Sequence, residues 1–437
     1  MAEEKVKKIA IASVGCKTNQ YEALWLASNL KRRGADIYKF DETADVYVVF
    51  TCAVTHKAEV DSRKLIHNAR RRNRKALVVA TGCGVQLSPH AYLGEDAADL
   101  AVGMNEREKL EAIIKGERAE KNLLVDESEQ IRFNPFGIED LNVITHARAW
   151  LKIQEGCASN CSYCIVPHLR GEPRSIPVAL VLNEAEKFGE RFKEIVLVGT
   201  NIGLYGIDLT PRTSLIELVG EIVKLAEKMD FRVRLSSIEP MEFDKKLVDF
   251  AQTNFLRPHF HIPLQGFSDR LLKQMSRPYT ILEFANLIGQ VKSKLPNASI
   301  GTDIICGFPT ESEQDFTAGA IFIDSLPLSY LHIFSYSSRP NTPAVNLGPP
   351  IPNRILKERV TELKKIDRTK RESFAKSQIK NTLEVVIMKS GPGESEGLSE
   401  NYLTAKVSGS FKPASLVKVL VKKVVGSYIL CEEARQL

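Results

Sequence analysis

Residues 156–164 read GCASNCSYC and place Cys157, Cys161 and Cys164 four and three residues apart, directly after the strand-like run WLKIQ (150–154). Three thiolates on one tight loop can hold three irons of a 4Fe-4S cluster and leave the fourth iron without a protein ligand. That open iron is a place for chemistry. A tetrahedral zinc site needs a fourth local Cys or His, and His168 is the only nearby candidate. Packed structural thiols are the remaining alternative, and with eight Cys in 437 residues they account poorly for this spacing.

Outward from the loop, the chain alternates strand-like and helical stretches. WLKIQ is followed by EIVLVG, RVRLSS, HFHIPLQ, SIGTDIICGF and SYLHIFSYS, six strands with helical segments between them. This argues for a partial (βα)6 barrel, open on one side. Upstream, residues 7–115 show the same alternation, as expected for an open parallel α/β sheet with crossover helices. Cys16, Cys52 and Cys83 each follow one of its strands, and in such a sheet the carboxyl ends of strands line one crevice. Residues distant in sequence converge there, so a second set of three ligands is expected, again one short of four. Independent buried thiols are the alternative for these three. Beyond Thr382 the pattern is purely β and predicts a small barrel. The fold class is therefore α/β, with a parallel-sheet domain, a partial barrel and a small terminal β-barrel.

The loop spacing, with the aromatic Tyr163 just before its last Cys, resembles the radical S-adenosylmethionine enzymes. LKIQEGCASNCSYCIVPHLRG is similar to their methylthiotransferase branch, and GCKTNQYE near the N-terminus to members acting on threonylcarbamoyladenosine in tRNA. GEPRSIP (171–177) departs from the GPxRSR-like run expected there. The resemblance covers the chain in a three-domain order: 1–117 with the auxiliary cluster, a linker 118–142, the radical barrel 143–372 with a basic helix, and a TRAM domain 373–437.

The resemblance implies two 4Fe-4S clusters and S-adenosylmethionine. Cys157, Cys161 and Cys164 would ligate the radical-generating cluster, and Cys16, Cys52 and Cys83 a sulfur-carrying one, all six serving as metal ligands and catalytic residues. Gly199, Thr200 and Asn201 would meet the aminoacid end of S-adenosylmethionine, Asp303 and Gly307 its adenosine side, with Tyr163 and Gln265 also in contact. One S-adenosylmethionine methylates the cluster-bound sulfur and another generates the radical. The implied activity is methylthiolation of carbon 2 of threonylcarbamoyladenosine at position 37, in the anticodon loop of tRNA, with electrons from a flavodoxin or ferredoxin. Isopentenyladenosine tRNA and a ribosomal protein aspartate are alternative substrates. An RNA-binding iron-sulfur module without catalysis is the non-enzymatic alternative.

Composition is that of an ordinary globular protein, 43% hydrophobic and 26% charged, long enough for about three domains. No apolar run approaches a membrane span and MAEEKVKKIA lacks the apolar core of a signal peptide, so a cytoplasmic location is expected. A reducing compartment also suits Cys in metal rather than disulfide roles. The net charge of +6 is unevenly spread: basic runs at 63–75 and 353–380 suit a polyanion such as RNA, or are solvated helix faces. Cys306 and Cys431 are expected to be packed thiols, while HIPLQ (261–265) is a weaker candidate whose His261 is either a site residue or a satisfied core histidine. Arg148, Arg170 and Arg174 lie near the cluster loop in sequence.

Overall fold

The computed structural model describes residues 7–115, 122–126 and 131–434, and the chain divides into two compact units. The first comprises residues up to Thr145 together with Gln154–Ser159 and Cys164–Ile176, and the second the remainder. The division passes through the cysteine loop itself, so the expected boundaries near 142 are not followed. No described helix is long and apolar enough to cross a membrane.

In the first unit, β1 (Lys8–Ser13), β2 (Asp36–Tyr38), β3 (Val46–Thr51), β4 (Leu77–Gly82), β5 (Leu100–Val102) and β6 (Leu123–Leu124) form one parallel sheet in the order β2-β1-β3-β4-β5-β6. The unbroken apolar run of β3 is buried because both faces of the sheet are covered. Val46, Val48 and Phe50 pack with Leu26 and Leu30 of the helix Lys17–Arg32. Tyr47 and Val49 point the other way, onto Ile66 and Ala69 of the helix His56–Arg72. Alternate side chains of one strand thus serve two cores.

The stretch expected to be a linker does structural work. It supplies β6, and from residue 131 it runs as a strap along Lys17–Arg32. There Gly137 N–H donates to Tyr21 Oη (3.1 Å), Asp140 N–H to Ser28 Oγ (2.8 Å), and Phe133 meets Trp25 edge-on at 5.4 Å. Residues 118–121 and 127–130 of that expected linker lie outside the described residues.

The second unit starts with β7 (Ala149–Lys152), while the short antiparallel pair β8 (Gln154–Glu155) and β9 (Arg174–Ser175) returns to the first. Then follow β10 (Glu194–Val198), β11 (Arg232–Leu235), β12 (His259–His261), β13 (Ser299–Cys306) and β14 (Tyr330–Ser335). Parallel pairing joins β7, β10 and β11, and separately β12, β13 and β14; a parallel bridge between Val233 and Leu256 links the two groups. The six strands stand in chain order, as a partial (βα)6 barrel requires.

RVRL, HFHI and YLHIF alternate polar with apolar residues. One face is apolar and buried (Ile195, Leu197, Val233, Phe260, Ile300, Ile304, Leu331). The other carries charge, and it is neutralised in place. Glu194 is fully buried; its Oε1 accepts from Arg234 Nε (2.8 Å) and Arg148 Nη1 (3.1 Å), and its Oε2 from Arg234 Nη2 (2.9 Å) and Arg257 Nε (3.1 Å).

The same arginines receive the terminal barrel. Strands β15 (Thr382–Ser390), β16 (Glu394–Ser399), β17 (Thr404–Ser408), β18 (Leu416–Val425) and β19 (Tyr428–Glu433) close in the order β15-β16-β17-β19-β18. Glu384 accepts from Arg232 Nε (3.0 Å) and Arg257 Nη1 (2.8 Å), while Arg234 donates to the Ser399 and Glu400 carbonyls (both 3.1 Å). The helix Asn353–Ser377 runs without a break into this barrel, where Phe374 and Ala375 join its core, so the boundary expected at 372 falls inside a helix.

The basic runs are less available than their charge suggests. Arg359 pairs with Glu311 and Glu313, and Lys370 Nζ donates to the Asp324 and Leu326 carbonyls. Arg371 chelates Asp367 (2.9 Å), and Arg70 bonds the carbonyls of Arg74, Ala76 and Ala97. Arg354, Lys357, Lys364, Lys365, Arg368 and Lys376 are exposed on the long helix, and Lys64, Arg71, Arg72, Arg74 and Lys75 at the first run.

Burial opposes the charge of Glu194, but its arginines outweigh burial and hold the carboxyl far below the usual range. Its contribution to stability is therefore complete above the ordinary carboxylate range and is lost only as pH falls through the lowered folded value. Replacing Glu194 by Gln leaves buried guanidinium groups uncompensated and should cost roughly 3–5 kcal/mol at neutral pH. A urea titration reads this as an earlier midpoint; an unchanged midpoint would show that the cluster carries no net weight.

Candidate functional site

The cysteine loop is closed at its neck by β8 and β9. Gly156 has φ +78° and a Cβ there would run into the Glu172 carbonyl, so only glycine passes. Cys157 N–H then donates to the Gly171 carbonyl (3.0 Å). Cys157, Cys161 and Cys164 are all half-buried on the loop so formed. Ser159 N–H approaches Cys157 Sγ (3.4 Å), and Arg277 Nη1 donates to Cys161 Sγ (3.0 Å).

Arg277 is itself held in place. It is 5% exposed, ion-paired with Glu239, and donates through Nε to Tyr279 Oη (3.0 Å), which in turn bonds the Pro263 and Leu264 carbonyls. Ser162 Oγ donates to the Gln274 carbonyl (2.7 Å), tying the loop to the helix Asp269–Gln274. N–H groups aimed at sulfur favour thiolate over thiol, so this donor set fits a metal-sulfur cluster.

Most of the other residues expected at S-adenosylmethionine stand where the strands end. Gly199 and Thr200 follow β10, and Thr200 Oγ1 is buried with no hydrogen-bond partner among the described residues, as a side chain awaiting a ligand would be. Asn201 caps the turn Ile202–Leu204 and donates to Glu242 Oε1 (3.0 Å). Gln265, at φ +69°, is pinned between the Asp303 carbonyl (2.8 Å) and Ile305 N–H (2.9 Å). Gly307, at φ +85°, ends β13 and donates to Glu311 Oε2 (2.8 Å). Asp303 stands apart: it lies midway along β13 and accepts from two histidines, His261 and His332. Tyr163 precedes Cys164 and lies in the field of Arg277.

The N-terminal thiols do converge. Cys16 follows β1, Cys52 follows β3 and Cys83 follows β4, three adjacent strands of the sheet. The strand order reverses between β1 and β3, which is where such sheets open a ligand crevice. Burial first, and then the neighbouring Cys83, push the Cys52 thiol up to about 12. Buried thiols that raise one another's pKa are costly alone and suited to a cationic group.

One buried cation already serves them, and sequence reasoning left it unassigned. Arg170 is 2% exposed and donates to Glu22 Oε1 (2.7 Å) and Glu155 Oε1 (2.6 Å). Burial disfavours its charge, but Cys83, Glu22 and Glu155 outweigh burial and keep it protonated. Arg107 shares Glu22 at 2.5 Å. Ile165 and Leu169, from the same segment, pack with Ala53, Cys83 and Leu87. Arg277 was also missed; nothing in MSRPYT marks it. Of the other arginines near the loop, Arg174 braces the Arg170 carbonyl (2.9 Å) and Arg148 belongs to the Glu194 cluster. Cys306 and Cys431 are buried, and burial pushes both up to about 12, as packed thiols.

Comparisons with known proteins agree with this geometry. Residues 151–319 match the radical SAM superfamily, and residues 8–103 the uncharacterized protein family UPF0004. The threonylcarbamoyladenosine tRNA methylthiotransferase MtaB of Aquifex aeolicus is 37% identical over 95% of this chain and 100% of its own length. This chain belongs to the radical SAM methylthiotransferase family. The MtaB protein of Bacillus subtilis is 32% identical over 95% of this chain and 94% of its own. The tRNA-2-methylthio-N(6)-dimethylallyladenosine synthase of Natranaerobius thermophilus is 31% identical over 90% and 87%. Among solved structures, the radical S-adenosylmethionine methyltransferase TsrM of Kitasatospora setae shares the fold, with a TM-score of 0.57 at 16% identity over 78% of this chain and 77% of its own. Membership implies S-adenosylmethionine and a 4Fe-4S cluster.

Proposed function

We propose that this chain methylthiolates carbon 2 of N6-threonylcarbamoyladenosine at position 37 of tRNA in the cytoplasm, with one 4Fe-4S cluster on Cys157, Cys161 and Cys164 and a second on Cys16, Cys52 and Cys83. The observation that carries the reading is the duplication: two separate sets of three thiols, each at strand ends and each served by a buried arginine, Arg277 and Arg170. A purely structural cluster gains nothing from a missing fourth ligand. Similarity along nearly the whole chain to proteins named for threonylcarbamoyladenosine supports that base as substrate, and the dimethylallyladenosine relative supports the alternative.

When bound, the loop cluster with S-adenosylmethionine supplies a radical able to take the hydrogen from carbon 2, and the N-terminal cluster supplies the sulfur that replaces it. The chain's residues orient and shield these groups. Arg277 donates to the Cys161 sulfur, Thr200 and Asn201 offer polar atoms at the end of β10, and Arg170 offsets negative charge beside Cys83. Lys364, Lys365 and Arg368 are placed to meet phosphates. An anticodon loop gives up a base at low unstacking cost. A small electron carrier such as flavodoxin or ferredoxin would supply the electron that this chemistry needs.

Anaerobic reconstitution should give close to eight irons per chain, falling to about four when Cys157, Cys161 and Cys164 are replaced by Ala. Four irons in the intact protein would remove the second cluster. A Cys52→Ala enzyme should still cleave S-adenosylmethionine but yield no methylthiolated nucleoside, and unchanged product would end the donor role of the N-terminal set. Mass spectrometry of tRNA nucleosides from cells lacking the protein identifies the base: loss of methylthio-threonylcarbamoyladenosine is expected, and loss of the isopentenyl counterpart would overturn the substrate.

A hydrogen bond to sulfur stabilises the reduced, more negative cluster. Arg277→Gln should therefore lower the reduction potential of the loop cluster by on the order of 60 mV, the one-electron equivalent of the lower range for a charge-assisted bond. An EPR-monitored redox titration measures it, and an unchanged potential would reduce Arg277 to a packing role.

A further inference from the structure

The inner face of the last three barrel strands carries a side-chain cluster that the cysteine chemistry does not use. His261 on β12, Asp303 on β13 and His332 on β14 meet on this face: Asp303 is directly opposite His332 in the register, and His261, opposite Gly301, reaches Asp303 from one step earlier along the same face. Asp303 Oδ1 receives His261 Nε2 at 2.8 Å and His332 Nδ1 at 3.3 Å, and the two imidazoles stack at 4.9 Å. Below them, Tyr330 Oη links His261 Nδ1 (3.1 Å) to His259 Nε2 (2.8 Å). Gly301 makes room for that tyrosine: a Cβ there would run into the Tyr330 ring.

The two ends of this chain of contacts differ. The lower end is sealed, with His259 lying flat on Tyr402 of the terminal barrel (4.0 Å, 11°) and Arg371 over Tyr330 at 4.9 Å. The upper end is open. His332 is 45% exposed, and Phe334, two residues on along the same face and edge-on to His332 at 6.4 Å, is 42% exposed. Leu331 on the opposite face is 2% exposed, so the strand is covered outside and bare inside. A cluster built only to satisfy itself has no use for an uncovered aromatic ring beside it. An aromatic wall above a floor of imidazole and carboxylate suits a planar base that carries a polar, anionic substituent: a ring to stack on Phe334 and amide, hydroxyl and carboxylate groups to bond below.

We propose that His261, Asp303, His332 and Phe334 form the receptor for the base and its N6 substituent, with His332 selecting the carboxylate-bearing threonylcarbamoyl group over an apolar isopentenyl group. This rests on the function proposed above and names the residues that decide its substrate. His332 offers the ring edge not engaged by Asp303, and Asp303 fixes the orientation of both imidazoles. Both imidazoles are turned toward Asp303 Oδ1, so that oxygen is engaged before a substituent arrives. An isopentenyl group placed there leaves these polar groups unpaired, which is the strongest form of rejection a site can exert.

The test is binding to the full-length reconstituted chain, read by fluorescence anisotropy with anticodon stem-loop RNAs carrying threonylcarbamoyladenosine, isopentenyladenosine or plain adenosine at position 37. The parent should prefer the threonylcarbamoyl RNA, and in His332→Phe the ratio of affinity for that RNA to affinity for plain adenosine RNA should fall about tenfold or more. Phe334→Ala, at an exposed position that folding does not need, should weaken all three RNAs alike. Preference for the isopentenyl RNA by the parent overturns the substrate reading itself. A parent that prefers threonylcarbamoyl, with His332→Phe and Phe334→Ala indistinguishable from it, overturns the receptor alone. The three donor atoms also lie within 4.8 Å of one another, close enough for a divalent cation. Elemental analysis that finds a stoichiometric divalent metal besides iron, lost in Asp303→Asn, overturns the receptor in favour of a metal site.

Discussion

Arg170, held between Glu22 and Glu155, is the contact on which the organisation of the first unit depends. Glu22 lies on the first helix of the sheet and Glu155 at the neck of the cysteine loop, so one guanidinium fastens the loop's exit to the sheet that carries Cys16, Cys52 and Cys83. All three groups are almost fully buried, and truncating the arginine would take its bonds from both carboxylates and leave Glu22 to Arg107, a loss of roughly 3–5 kcal/mol. Geometry and electrostatics coincide here. The same charge that joins the segments faces Cys83, where a bound cluster on thiolates would concentrate negative charge.

The barrel applies the same principle on a larger scale. Its strands are apolar outside and charged inside, so its interior is stable only where each charge meets an opposite one. Glu194 and Glu384 collect Arg148, Arg232, Arg234 and Arg257 near the lower end, and the terminal barrel caps that end through the same groups. Higher up the pairing thins, and His332 and Phe334 are left open. The barrel interior thus grades from a neutralised lower end to exposed side chains above.

Basic stretches illustrate how charge in a chain differs from charge on a surface. Arg359, Lys370 and Arg371 face inward on the long helix and brace strand ends and carbonyls. Their neighbours Lys364, Lys365 and Arg368 face water, so a polyanion meets only part of what the sequence displays.

Local features were legible from the chain. The spacing of Cys157, Cys161 and Cys164 needs only a loop, the six barrel strands announce themselves by alternation, and the closed terminal barrel follows from short β runs, because each depends on residues within one or two turns of backbone. Cys16, Cys52 and Cys83 were legible too, since parallel strands bring their ends to one edge. The short strands β2, β5 and β6 were missed, being two or three residues long and held by their neighbours rather than by pattern. The partners of Arg170, 148 residues from Glu22, and of Arg277, 116 residues from Cys161, were out of reach of any local rule. So was the meeting of His261, Asp303 and His332. Only strand register and packing decided these, because an ion pair in a folded chain is set by which backbones lie side by side, and no periodicity encodes that.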